Sequence, residues 1–136
     1  MTEATAAAIA HLINAHNQLS RGYTAENVLA EQNNYIIRMR DGGVIAVVEV
    51  NEVQWYQCEV SHLSVDPTFR GAGIGRSLVQ EAQERARRLG ARVAQCSIRV
   101  GNAPSEAVFT NCGFMATVTF HNARTGNNVT VYQKVL

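Results

Sequence analysis

Leu63-Ser64-Val65-Asp66-Pro67-Thr68-Phe69-Arg70-Gly71-Ala72-Gly73-Ile74-Gly75-Arg76-Ser77-Leu78 runs from a β-rich segment through a glycine loop into a helix. A strand, a loop with three glycines and a helix start together place free backbone N–H groups and the positive end of a helix around an anion, and phosphate is the natural guest. Spacing excludes two familiar phosphate loops. The dinucleotide fingerprint needs a third glycine where Arg76 stands, and the Walker A pattern needs glycine at Arg70 and lysine at Arg76. What remains is R-G-x-G-x-G, with arginines at 70 and 76. Arginine in the first turn of a helix is unfavourable unless an anion lies there.

Outward from the loop, Ile74, Leu78, Val79, Ala82, Ala86 and Leu89 form one stripe of a long helix closed by Gly90. Glu81/Arg85 and Glu84/Arg88 are spaced to pair on its other face. Residues 91–100 read as a strand, 104–111 as a short helix with proline in its first turn, and Gly113 as its stop. Two strands, about 115–122 and 128–135, flank a polar turn.

Towards the N-terminus, Tyr35 to Arg40 and Val44 to Val50 form a hairpin around Asp41-Gly42-Gly43, and the stretch from Trp55 to Val65 continues the meander. Val44 to Val48 is nearly all apolar, as in a strand covered on both faces. Before it, Ile9, Leu12, Ile13, His16 and Leu19 mark an amphipathic helix from Glu3 to Gln18, ending near Ser20-Arg21-Gly22. A second, shorter helix is capped by Thr24 and broken at Asn33-Asn34. The order is α-α-β-β-β-α-β-α-β-β in a single domain spanning 1–136, an α/β (α+β) fold with a mixed sheet and helices on its faces.

The composition fits an ordinary globular protein: 136 residues, 46% apolar, 17% charged and a net charge of +1. That charge gives no general attraction to nucleic acid or an acidic membrane, so neither is expected as a partner. Eleven of the twelve basic residues are arginine, and Lys134 is the sole lysine. Cys58, Cys96 and Cys112 are odd in number and far apart, with no His at zinc spacing, so reduced buried thiols and no metal are expected. No leader-like or bilayer-length apolar run is present, and a cytoplasmic setting is the expectation.

A second motif lies downstream: Asn102-Ala103-Pro104-Ser105-Glu106-Ala107-Val108-Phe109-Thr110-Asn111-Cys112-Gly113-Phe114. Together the two segments resemble the GCN5-related N-acetyltransferase (GNAT) superfamily. The first is similar to its pyrophosphate motif, Gln/Arg-x-x-Gly-x-Gly/Ala. The second is similar to an Asn, a small residue three later, an aromatic seven later and a closing Gly-Phe. The resemblance implies a GNAT-type, mainly antiparallel sheet with helices on both faces. The first strand usual in the family is apparently absent, since the chain opens into helix. It also implies transfer of an acetyl group from acetyl-CoA, as co-substrate and without metal, to a primary amine by direct attack in a ternary complex. A homodimer is a further possibility among such proteins.

On this resemblance, the strands on either side of the glycine-loop helix splay apart, and their unpaired backbone takes the pantetheine arm as an added strand. Leu63, Ser64 and Val65, the loop residues Arg70, Gly71, Ala72, Gly73, Ile74, Gly75 and Arg76, and Asn102, Ser105 and Phe109 of the second motif are the coenzyme positions it assigns. One main-chain N–H at Leu63 or Val65 would polarise the thioester carbonyl.

Glu59, six residues before Val65, matches the catalytic glutamate of the histone-acetylating branch and is the candidate base. His62 is a second candidate; strict alternation puts it on the opposite face unless the strand is bulged. Many relatives carry a tyrosine where Phe109 stands, and phenylalanine donates no proton. Tyr132 and Cys112 are substitutes for that acid, or the thiolate leaves unassisted. The alternative is a non-catalytic acyl-CoA-binding module of the same fold. A nucleotide-phosphate switch would need a metal-binding carboxylate beside the loop, and none is there. The acceptor would be gripped by the first helices and the last hairpin, where His16, Tyr23, His121 and Arg124 lie.

Overall fold

Because the apolar run after the hairpin turn alternates its side chains between two faces, it can build two cores at once. The computed structural model, which describes residues 1–17, 19 and 21–136, shows this arrangement. Strand β2 (Gly43–Gln54) turns Ala46, Val48 and Val50 towards one core and Val47 towards another. The first core packs β2, β3 (Gln57–Val65) and β4 (Val93–Arg99) against helices α3 (Ile74–Arg88) and α4 (Ala103–Asn111). The second lies under α1 (Glu3–His16) and α2 (Ala25–Ala30), where Ile9, Ile13 and Val28 meet Tyr35 of β1 (Tyr35–Arg40).

With β5 (Met115–Asn122) and β6 (Asn127–Val135) the sheet has, among the described residues, six strands in the order β1-β2-β3-β4-β6-β5. Every pairing is antiparallel except β3 with β4. That parallel pairing covers Gln57–Glu59 against Val93–Gln95 and no more. The hairpin of β5 and β6 carries the sheet beyond the helices, and Met115 to His121 are all exposed.

Several boundaries differ from the sequence expectation. β2 runs on to Gln54, so Trp55 and Tyr56 form a turn and β3 starts at Gln57. β4 starts at Val93, because the N–H groups of Arg92 and Val93 both go to the Tyr56 carbonyl as the chain enters the sheet. The chain after α2 passes through a 3₁₀ turn, Gln32–Asn34, and the proline before the glycine loop opens another, Pro67–Phe69. The expected helix end at Gln18 and stop at Ser20 lie outside the described residues; α1 runs to His16.

The expected pairs on α3 are also re-partnered. Glu81 Oε2 pairs with Arg38 Nη1 at 2.7 Å, and Glu84 pairs with Arg87. Arg85 instead donates to the carbonyls of Asn33 (3.0 Å) and Tyr35 (3.4 Å). Those carbonyls belong to the 3₁₀ turn and to the first residue of β1, which the folded sheet brings alongside α3.

Lys134 has a structural task. Its Nζ lies 2.7 Å from Gln83 Oε1 and 2.7 Å from the Cys112 carbonyl, tying β6 to buried Gln83 on α3 and to the end of α4. Removing the ammonium leaves the Gln83 oxygen without that donor in a buried site. Lys134→Met is expected to lower unfolding free energy by about 1–3 kcal/mol, read from urea melts at unchanged m-value.

Candidate active site

The glycine loop is shaped by its backbone. Gly71 (φ 82) and Gly73 (φ 80) adopt left-handed conformations that an L side chain rarely takes, and Gly73 is the N-cap of α3. No side chain caps this helix, whereas Thr2, Thr24 and Asn102 cap α1, α2 and α4. Its first turn also lacks an acidic residue and carries Arg76. The first N–H groups of α3 are therefore presented, with the helix dipole behind them, to an incoming anion. A Cβ at Gly75 would lie 3.6 Å from Val108 and 3.8 Å from Val65, so glycine keeps the slot beside the loop open.

That slot is a cavity of about 330 Å³ bounded by Leu63, Ser64 and Val65 of β3, by the loop from Arg70 to Arg76, and by Asn102 and Ser105 at the start of α4. Ala72 is exposed and does not line it. Arg70 is braced by its Nε to the Val65 carbonyl (3.2 Å) and by Nη2 to His16 Nδ1 (3.1 Å). Partial burial, with Arg70 beside it, lowers the pKa of His16.

A second cavity, about 420 Å³, opens where β3 and β4 part company beyond Glu59 and Gln95. It shares His16, Leu63, Asn102 and Ser105 with the first, so the two are joined through the splay. Glu59 sits at the fork. Gln95 Nε2 donates to Glu59 Oε2 at 3.2 Å, and Gln133 Nε2 donates to Gln95 Oε1 at 2.9 Å, a row of three side chains across β3, β4 and β6. Burial pushes the Glu59 pKa above the ordinary carboxylate range, against the Gln95 hydrogen bond that lowers it. Gln95 and Gln133 were not singled out in the sequence, where neither stands out among the other polar residues of its strand.

His62 lines the same cavity as Glu59, contrary to strict alternation. The reason is a bulge: Val47 pairs with Ser64 but Glu49 pairs with Ser61, so β3 carries one extra residue, and His62 takes φ 55 there. Its Nδ1 lies 2.8 Å from Oε2 of Glu49, and the Tyr23 ring meets it edge-on at 4.9 Å. A lone charge in the apolar run of β2 was the sequence's only mark of Glu49.

Phe109 does not reach the glycine-loop cavity. It is buried in the first core, edge-on to Phe114 at 5.1 Å, and borders the second cavity. Tyr132 and Cys112 line neither cavity. Tyr132 packs on the core beneath α3 and α4, and the Cys112 thiol, raised in pKa by burial, points to the Arg76 carbonyl at 3.9 Å. Of the suggested acceptor residues, His16 lines both cavities, whereas His121 bonds Asn128 (3.0 Å) and, like Arg124, lines neither. No group of metal-ligating side chains occurs among the described residues, and no helix there is long and apolar enough to cross a membrane.

The strand splay, the uncapped glycine loop and the asparagine-capped helix facing it meet around one pair of joined cavities, and comparison with known proteins places the chain in a family. The Acetyltransferase (GNAT) family matches residues 5–114, and the chain belongs to that family. Over 90 residues it is 29% identical to the N-alpha-acetyltransferase RimI of Mycobacterium tuberculosis, covering 63% of this chain and 55% of that relative's length. Its fold superposes on a ribosomal-protein-alanine N-acetyltransferase of Brucella melitensis with TM-score 0.83, 24% identity and coverage of 100% and 97% of the two chains. A Salmonella typhimurium protein solved with its cofactor acetyl-CoA gives TM-score 0.84, 23% identity and coverage of 100% and 91%.

Proposed function

We propose that this protein is an N-acetyltransferase that moves the acetyl group of acetyl-CoA to a primary amine by direct attack in a ternary complex. The observation that carries the reading is the junction of two cavities: one ends in the glycine loop, the other holds a half-buried carboxylate at the fork of the sheet.

The residues present fit acetyl-CoA. The N–H groups of the glycine loop, with Arg70 and Arg76, would hold the pyrophosphate, and Asn102 and Ser105 stand across the slot from them. Beyond Glu59 no ladder joins β3 to β4, which leaves Leu63 to Val65 without a strand on that side for the pantetheine amides to use, apart from the Val65 carbonyl that Arg70 Nε already bonds. The coenzyme supplies an activated acyl carbon in a thioester.

Glu59 takes a proton from the acceptor's ammonium, so that the nitrogen lone pair can attack. A pKa raised by burial makes its carboxylate a stronger base than a surface glutamate. Gln95 occupies one carboxylate oxygen and leaves the other for the amine. With phenylalanine at 109, and Tyr132 and Cys112 outside both cavities, the thiolate leaves without a side-chain acid and takes its proton from water.

Two of the similar proteins are named for acetylation of an α-amine or of a ribosomal-protein alanine, so peptides with free α-amines belong in the acceptor panel with small amines. Release of free coenzyme thiol on any of them, lost in Glu59→Gln, is the expected result. The missing acid at Phe109 favours a second reading, a non-catalytic acyl-CoA-binding module; coenzyme binding without turnover on any amine would establish it.

A further inference from the structure

The Glu49–His62 pair is built with more supports than strand packing requires. Glu49 is 4% exposed on β2, in the midst of the apolar run, and such a carboxylate persists only if it is paired. Burial pushes its pKa up, but hydrogen bonds from His62 and Asn51 and the charge of the imidazole hold it below the ordinary range, so it stands ionised. An ionised carboxylate only accepts, which assigns the Nδ1 proton to His62 and leaves Nε2 with its lone pair in the neutral ring.

The ring is fixed from the opposite layer as well. The backbone of Tyr23, whose ring edge rests on the imidazole, is bonded in both directions to the Asn14 side chain of α1 at 2.8 and 2.9 Å. The bulge itself is secured by the Ser64 hydroxyl on the His62 carbonyl (3.0 Å) and by Asn17 Nδ2 on the Ser64 oxygen (2.8 Å). A left-handed conformation at a non-glycine residue costs energy and persists where the surroundings enforce it.

We infer that Glu49 is a positioning residue that presents His62 Nε2 to the acceptor cavity as a second proton acceptor beside Glu59. This rests on the acetyl-transfer reading, and the chemistry gives it a purpose. An ammonium that becomes an amide loses two protons from nitrogen: one before attack and one as the N–C bond forms and the C–S bond breaks. Glu59 receives one and His62 the other. The thiolate leaves as an anion and is protonated by water, and both bases return their protons to solvent, so acyl-CoA and ammonium give amide, thiol and one net proton. Of the charged and titratable groups around His62, Glu49 from β2, Glu59 from β3 and Tyr23 are nearest in this network, Tyr35 of β1 lies behind Glu49, and His16 and Arg99 share the cavity.

The test compares pH profiles of kcat/KM, with the best amine of the panel, for wild type, Glu49→Gln and His62→Asn. Asparagine tolerates the left-handed conformation, and glutamine keeps a hydrogen-bond acceptor while losing the charge. His62→Asn is expected to lower kcat about 10–100-fold with KM for acetyl-CoA unchanged. Glu49→Gln is expected to change the shape of the pH profile, because the negative charge beside the imidazole is gone. A profile of unchanged shape with only a lower plateau would show a merely structural role and overturn the inference, as would wild-type kinetics in His62→Asn. Nitrogen NMR of the wild-type imidazole gives a check independent of turnover and of mutant folding: the Nδ1-protonated tautomer is expected, and the Nε2-protonated tautomer overturns the assignment. No turnover by wild type on any amine would instead defeat the parent reading, and the base role with it.

Discussion

Gly73→Glu is expected to abolish coenzyme binding while leaving the fold intact. Gly73 holds φ 80 as the N-cap of α3, where a side chain costs about 1–2 kcal/mol in backbone strain. No atom lies within 4 Å of a Cβ built there, so the added side chain meets open space rather than the core. Its carboxylate would enter a cradle that otherwise presents N–H groups, Arg70 and Arg76, and would compete with the pyrophosphate for them. Titration calorimetry with coenzyme A should show a weakening of at least about 100-fold, near 2.7 kcal/mol at about 1.4 kcal/mol per factor of ten. Gly73→Ala, which carries the strain without the charge, separates the two contributions: a stability loss of about 1–2 kcal/mol with most of the affinity kept. Wild-type affinity in Gly73→Glu would remove the pyrophosphate from this loop.

Glu59→Gln is expected to lower kcat about 10²–10⁴-fold with KM for acetyl-CoA unchanged, and at the same time to stabilise the protein at neutral pH. Burial raises the Glu59 pKa, so the folded protein holds this proton to higher pH than the unfolded chain does. The stability from that preference is complete at low pH and falls as pH rises from the ordinary carboxylate value through the raised one. Glutamine carries no proton to lose and can still accept from Gln95. Thermal melts of the two proteins should coincide in acid and diverge towards neutrality, with the variant higher. A variant less stable than wild type at pH 7, or one with undiminished kcat, would contradict the assignment of Glu59 as a strained, functional carboxylate.

Much of this architecture was legible along the chain. The glycine loop, the helix stripe from Ile74 and the nearly apolar run at Val44 to Val48 are local patterns, set by 3.6- and 2-residue periods and by the few residues that accept a left-handed backbone. Their placement in the fold follows the expected order, with the sheet beginning at Tyr35–Arg40 after two helices. Boundaries moved where long-range hydrogen bonds compete with local preference: the turn at Trp55 and Tyr56 supplies the carbonyl that receives Arg92 and Val93. Charge pairing was misread for the same reason. Arg85 had a helical partner available in Glu81 but bonds the carbonyls of Asn33 and Tyr35, which only the folded sheet brings alongside.

The glycine loop was thus legible in the sequence, because one short segment carries all its parts: the glycines, the arginines and the helix start. The second cavity was not, because its parts come from strands far apart in the chain. Glu59 met Gln95 and Gln133 only through sheet register, and His62 met Glu49 only through a bulge that turned it against strict alternation. Side-chain direction along a strand reverses at every residue, so one inserted residue redirects all that follow.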